Sequence, residues 1–197
     1  DARRLRELGA PEVTVLGNTG NLAKTGYTFN GWNSKADGTG TAYAEDNTFN
    51  ITADTTLYAQ WTINTYTITF NSAGGSEVAG ITQDYGTAVT VPSNPTREGY
   101  TFTGWVPAPP STMPASDMTC VAQWIINTYT LTYTAGAHGS ITGTSPQTVN
   151  YGGSGTAVTA LADTGYHFVK WSDDSTANPR TDTNVTADIT VTASFAI

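Results

Sequence analysis

Tyr66, Ile68 and Phe70 alternate with Thr65, Thr67 and Thr69, and Tyr129, Leu131 and Tyr133 alternate with threonines in the same way. A period of two puts the apolar side chains on one face, which predicts half-buried β-strands. Turn-forming residues follow at Asn71–Gly75 and Thr134–Gly139, so each opening strand should fold back as a hairpin. Ala88–Val91 and Ala157–Leu161 predict a further short strand or a helical turn. Leu57, Ala59 and Trp61 share one face of a later strand, and Tyr27 and Phe29 share a face of another. The reading is mainly β, with four or five strands per repeat and little or no helix.

The pattern recurs. Ile63–Thr67 and Ile126–Thr130 are both Ile-Asn-Thr-Tyr-Thr. Gly26–Trp32 (GYTFNGW) returns as Gly99–Trp105 (GYTFTGW) and Gly165–Trp171 (GYHFVKW). Each unit closes on a similar strand, at Leu57–Trp61, Cys120–Trp124 and Val191–Phe195, and two carry a mid-unit turn, Asp84-Tyr85-Gly86 and Asn150-Tyr151-Gly152. Motifs repeating in one order define a tandem array. The expected divisions are a leader at 1–12 and repeats at 13–62, 63–125 and 126–197. The segment between the GYxFxxW Trp and the closing aromatic varies in length, as a surface connection would. In the second repeat it holds four prolines within Val106–Ser116, which excludes a regular helix.

The first repeat lacks the opening hairpin that should precede Val13, and so should expose a sheet edge. Asp1–Ala10 stands there instead, a charged stretch read as a disordered or added leader, with a short helix as the alternative. A unit of ~60 residues is marginal alone, and stacked neighbours would stabilise it. Four residues separate Trp61 from Tyr66 and Trp124 from Tyr129, without Gly or Pro. Such short joints predict restricted motion and an elongated array.

Composition narrows the function. Among 197 residues there are 38 Thr and 20 Gly, only 12% are charged, and the formal net charge is -8. Without a basic footprint, nucleic acid is excluded as a partner. No stretch approaches the ~20 apolar residues of a membrane helix, so membrane insertion is not expected. One cysteine rules out an intrachain disulfide. Neither a signal peptide nor a Leu-Pro-x-Thr-Gly motif is present, so the sequence reads as an internal piece of a longer chain.

Candidate chemistry is sparse. Asp173-Asp174 and Asp46 with Asp54 are the nearest to paired carboxylates, but nothing recurs to define a catalytic separation, and they read as solvated loop acids. His138 lies in a Gly-rich turn and His167 between Tyr166 and Phe168, without a nucleophile motif nearby. Asp37–Gly40 resembles a fragment of a calcium loop but lacks its full ligand pattern, and reads as a hairpin turn. Cys120 replaces Leu57 and Val191 in the frame, so a buried, inert thiol is expected. Lys24, Lys35 and Lys170 do not recur at equivalent places, which argues against a Lys–Asn crosslink. Trp32, Trp61, Trp105, Trp124 and Trp171 recur and read as core. Tyr43, Tyr58, Pro107, Pro109 and Pro110 are the better candidates for an exposed patch. No catalytic residue, cofactor-binding residue, cofactor or metal ligand is assigned.

The segment Gly26–Trp61, GYTFNGWNSKADGTGTAYAEDNTFNITADTTLYAQW, resembles the internalin-type B-repeat, or Listeria–Bacteroides repeat. The resemblance covers Val13–Trp61 and Tyr66–Trp124, although the second unit replaces the Gly-rich segment with VPAPPSTMPAS. Tyr129–Phe195 is similar to the related divergent bacterial repeat. What this implies is a small β-grasp-like module, strung in tandem in secreted or wall-anchored bacterial proteins. The implied role is a non-enzymatic stalk that projects other domains from the envelope, with adhesion to a glycan or a host or matrix protein as the alternative. The implied location is extracellular, at the cell surface or wall. The expected partners are neighbouring domains of the parent chain, and the expected state is monomeric.

Overall fold

The computed structural model describes residues 10–197, and every regular element among them is a strand. Residues 1–9 of the expected leader lie outside the described residues. Glu12, also assigned to that leader, instead opens the first strand. Residues 88–91 form no helical turn, since Ala88 makes a β-bridge with Thr112.

In the first repeat, β1 (Glu12–Thr14) pairs antiparallel with β4 (Thr48–Asn50). A three-stranded sheet has the order β3-β2-β5, with β2 at Tyr27–Asn33, β3 at Ala42–Tyr43 and β5 at Tyr58–Ile63. The second repeat contributes β6 (Thr65–Asn71), β7 (Ile81–Asp84), β8 (Tyr100–Val106) and β9 (Met118–Ile126) in the order β7-β6-β9-β8. The third has the order β12-β10-β15-β14, from β10 (Thr128–Ala135), β12 (Gln147–Asn150), β14 (His167–Trp171) and β15 (Ile189–Ala196). Beside it, β11 (Gly139–Thr142) pairs with β13 (Thr159–Ala162). β6 folds back onto β7 as the expected hairpin, but in the third repeat the strand after the turn is β11, which pairs with β13, and β10 pairs instead with the later β12. β10 then runs parallel to β15. Among the described residues no strand takes that place in the first repeat.

The described chain falls into two compact units. One runs to Phe70 and includes Ala79–Pro92 and Pro107–Cys120; the other comprises Asn71–Val78, Ser93–Val106 and Val121–Ile197.

The GYxFxxW spacing is explained by a bulge. In a regular strand, residues three apart face opposite ways. Register shifts after Phe29, Phe102 and Phe168 bring Phe and Trp back to one face. Their ring centroids lie 5.3, 5.4 and 5.7 Å apart in the three repeats. The closing aromatic then packs on the same Phe, at 5.8 Å for Trp61, 5.5 Å for Trp124 and 6.2 Å for Phe195.

Ile68, Phe70, Leu131 and Tyr133 are buried, as the alternation predicts, and so is Cys120. Trp171 is fully buried, whereas Trp32, Trp61, Trp105 and Trp124 are half-buried, so the recurring tryptophans cap the core more often than they fill it. The variable connection departs further from expectation. Pro107 is exposed, but Met113 is buried within the proline-rich segment. Its backbone accepts from Gly86 N–H and donates to the Thr87 carbonyl, each at 2.9 Å. Val185 holds the same place in the third repeat, where its carbonyl accepts from Gly152 N–H at 2.8 Å, and Phe49 holds it in the first, opposite Val13. Strands this short leave the sheet's inner face open, and one apolar residue of the connection closes it.

Candidate functional site

The most regular polar and aromatic constellation lies where consecutive repeats meet. One residue joins β5 to β6, Asn64, and one joins β9 to β10, Asn127. At the first joint, Asn64 N–H donates to the Gly26 carbonyl (2.9 Å), and Tyr85 N–H donates to the Asn64 carbonyl (2.9 Å). At the second, Asn127 N–H donates to Gly99 O (2.9 Å) and Tyr151 N–H to Asn127 O (2.8 Å). Each Asn side chain accepts a threonine hydroxyl at 2.7 Å, from Thr28 and from Thr101.

A tyrosine completes each joint. Gly26 and Gly99 are buried, at φ +77° and +73°, and a Cβ on either would overlap the ring of Tyr85 or Tyr151 respectively. The glycine of GYxF in one repeat is therefore the seat for the tyrosine of the Asp/Asn-Tyr-Gly turn in the next. Tyr85 meets Tyr27 edge-on at 6.2 Å, and the Tyr151 hydroxyl donates to Glu98. That hydrogen bond, with burial, holds the Tyr151 phenol above its ordinary pKa. The GYxF tyrosine also carries a basic side chain on its ring. Lys24 Nζ lies 3.8 Å from the Tyr27 centroid, Arg97 Cζ lies 3.8 Å from that of Tyr100, and His138 stacks on Tyr166 at 4.1 Å.

A second recurring contact sits where the closing strand begins. Asp117 Oδ1 accepts from Thr67 N–H at 2.8 Å, and Asp188 Oδ1 accepts from Thr130 N–H at 2.8 Å. These carboxylates tie the closing strand to the opening strand beside it. Asp54 occupies the equivalent position in the first repeat.

The third repeat holds a buried ion network. Arg180 is 6% exposed. It donates to both Asp173 carboxylate oxygens at 2.8 Å, and to both oxygens of Asp182 at 2.7 and 2.8 Å. Tyr133 Oη donates to Asp182 Oδ2 at 2.7 Å. The Arg180 hydrogen bonds hold both carboxyls below the usual carboxylate range, while burial and then the Asp182 bond push the Tyr133 phenol up.

Residues 11–60 and 66–123 match the Listeria-Bacteroides repeat domain, and residues 129–197 match the divergent InlB B-repeat domain. The chain belongs to the Listeria-Bacteroides repeat family. Its segments are repeat domains of bacterial surface proteins. A protein described as a Gly-rich membrane protein from Evansella cellulosilytica is 35% identical over 189 residues, which is 89% of this chain and 21% of that protein. A membrane-protein homologue from the same organism is 30% identical over 181 residues, 87% of this chain and 26% of its own. Internalin H of Listeria monocytogenes is 40% identical over 114 residues, 53% of this chain and 20% of its own. The chain thus spans between 20% and 26% of the length of these relatives.

Set in the Listeria-Bacteroides repeat frame, the residues singled out from sequence mostly have structural partners. Asp173 goes to Arg180 and Asp174 to Lys170 Nζ at 2.6 Å, so the adjacent acids part company. Asp46 N–H donates to the Val15 carbonyl in a turn, while Asp54 is exposed. His167 is exposed on β14, opposite Ala196. Asp37 accepts from Thr39 N–H and its hydroxyl, which keeps its carboxyl below the ordinary value. The buried Asn33 side chain gathers that turn by donating to Gly38 O (3.1 Å) and accepting from Gly40 N–H (3.0 Å). Burial pushes the Cys120 thiol up, as its aliphatic frame position implies. Lys35 is exposed. Of the expected exposed patch, Tyr58 and Pro107 are exposed, Pro109 and Pro110 are half-buried, and Tyr43 packs on Phe49 at 4.7 Å.

The sequence reading missed Arg180, and it missed that Asp54, Asp117 and Asp188 recur in one frame position. The second signal was available in the Ala-Asp/Ser-Asp step before each closing strand.

The joint predicts its own mutational response. Gly99→Ala puts a Cβ at a left-handed φ, which costs ~1–2 kcal/mol, and must also displace Tyr151. Gly165, at φ +86°, has open space where its Cβ would be. Gly165→Ala should therefore show the backbone cost alone. Thermal unfolding should find Gly99→Ala the more damaging, and Tyr151→Ala should erase the difference; equal effects would refute the seat.

Proposed function

We propose that this chain is a non-catalytic spacer of a bacterial surface protein, acting outside the cell to hold other domains away from the envelope. The observation that carries the reading is the repeated joint. The same Asn bridge and the same tyrosine-on-glycine contact occur at both repeat boundaries, over different surrounding residues. A joint specified twice fits a part whose task is mechanical spacing. The family match and the membrane-protein descriptions of the relatives support the placement. The partners on this reading are the neighbouring domains of the parent chain, and the working state is a monomer.

Small-angle scattering tests the spacer. The expected radius of gyration lies well above the ~16 Å of a single globule of this length, and it should grow with each repeat appended. A value near the globular one would overturn the reading. The competing role is adhesion to a glycan or an extracellular protein, with Tyr58, 42% exposed on β5, as its natural contact. Saturable binding to such a ligand, lost in Tyr58→Ala, would replace the spacer with an adhesin.

A further inference from the structure

We propose that Asn50 and Asn184 are attachment sites for N-linked sugar, each taking a saccharide from a donor activated at its anomeric carbon by a diphosphate. This goes beyond the spacer reading and does not rest on it.

The sequence singles out the pair. Of the 13 asparagines, only those in Asn50-Ile51-Thr52 and Asn184-Val185-Thr186 carry a hydroxyl residue two places on with no proline between. That spacing is the one N-glycan transfer requires. Asn94-Pro95-Thr96 has the hydroxyl but also the excluded proline. The two matches share one place in the repeat frame, four residues before Asp54 and Asp188. In the second repeat Met113 and Pro114 stand there, ahead of Asp117.

The fold presents both sites in the same way. Asn50 ends β4, and Asn184 sits in a turn at φ +51°, a left-handed conformation that asparagine tolerates. The middle residue of each triplet is turned inward and its backbone is held. Ile51 is half-buried, and its N–H donates to the Pro11 carbonyl at 2.9 Å. Val185 is buried, and its N–H donates to the Gly153 carbonyl at 3.0 Å. The flanking residues Asn50, Thr52, Asn184 and Thr186 are all exposed. None of these four side chains makes a hydrogen bond to another described residue. Other asparagines spend theirs on the fold: Asn64 and Asn127 accept threonine hydroxyls at the joints, Asn33 gathers a turn, and Asn178 donates to the Ala160 carbonyl at 2.8 Å. A transferase can therefore take amide and hydroxyl together from the folded chain, without opening it.

In the transfer, the amide Nδ2 attacks the anomeric carbon of the donor. A carbon–nitrogen bond forms as the bond from that carbon to the phosphate oxygen breaks, and the diphosphate leaves with the electron pair. The amide loses one proton to a base of the transferase, so the product is a neutral glycosyl amide. The sugar adds hydrated bulk to the solvent side of the connection and leaves the inward Val185 in place.

The test incubates the folded 197-residue chain in two arms. One contains UDP-glucose and a soluble bacterial asparagine glucosyltransferase; the other contains a lipid pyrophosphate-linked oligosaccharide and a membrane oligosaccharyltransferase. Peptide mapping by mass spectrometry should find sugar at both Asn50 and Asn184 in at least one arm, and that arm identifies the donor. Asn50→Gln and Asn184→Gln should each lose only their own adduct. Thr52→Ala and Thr186→Ala should abolish occupancy of the paired asparagine, and Thr52→Ser and Thr186→Ser should keep it, with amide spectra showing each variant folded. Absence of sugar in both arms, sugar at one of the two asparagines alone, or sugar only on the chemically unfolded chain would overturn the proposal. So would occupancy that survives loss of the hydroxyl, or equal occupancy of Asn64 and Asn127.

Discussion

Arg180→Ala is expected to remove about 3–5 kcal/mol from the third repeat, the usual cost of breaking a buried ion pair by deleting one partner. Arg180 is the cation of a network that includes the nearly buried Asp182, whose side chain is 15% exposed, and the more open Asp173, at 44%. Deletion strands Asp182 against Tyr133, in a site that Trp171 also walls, its ring centroid 5.6 Å from the guanidinium. A domain of ordinary stability holds ~5–15 kcal/mol, so a change of this size should be plain in denaturant unfolding followed by tryptophan fluorescence. The surface pair of Lys170 and Asp174 is the control, and Lys170→Ala should leave the midpoint unchanged. Replacing Arg180, Asp173 and Asp182 together by apolar residues should recover much of the loss, because no charge is then stranded.

The same network sets a pH dependence. Asp173 and Asp182 are held below their ordinary pKa in the folded state, chiefly by Arg180. A lowered carboxyl contributes stability that is fully present above the unfolded value, ~3.9 for Asp. That contribution is lost as pH falls through the folded value. The third repeat should therefore weaken progressively below about pH 4, with Asp182 contributing more than the solvent-screened Asp173. In Arg180→Ala the acid dependence should flatten. A variant that kept the wild-type acid profile would show that the network does not control it.

Met113→Ala is expected to cost about 2–5 kcal/mol, the range for truncating a large buried aliphatic side chain. Met113 is 1% exposed although it lies among prolines in a connection without regular structure. Its neighbour Thr112 is exposed and makes the bridge to Ala88. Thr112→Ala should stay within about 0.5 kcal/mol, as a surface substitution does. Calorimetry on the two variants separates a connection that plugs the core from one that merely spans it. If both changes prove equally mild, the plug assignment fails.

The two variants also mark where sequence reasoning reached its limit. Strand identity at Thr65–Asn71 and Thr128–Ala135 was visible because alternation is local, and burial of one face enforces it. The repeat frame was visible because packing positions recur, and that frame placed Cys120 in the core without any coordinates. Met113 was hidden for the opposite reason. It is a lone apolar residue in a polar, proline-rich stretch, and only its long-range pairing with Gly86 and Thr87 turns it inward.

Arg180 was hidden likewise, since its partners lie in a turn seven residues away and in an irregular segment two residues away, with no periodicity to mark them. The GYxF glycine could be seen to recur, but its reason lies on another repeat. Gly26 needs Tyr85 and Gly99 needs Tyr151, contacts across more than fifty residues of chain. The strands, the repeat frame and the apolar faces were thus legible along the chain, because side-chain alternation and periodic packing are read from neighbours. Only folding settled which residue plugs each core, which glycine seats a tyrosine and which aspartate ties the closing strand to its neighbour, because each depends on a partner distant in sequence.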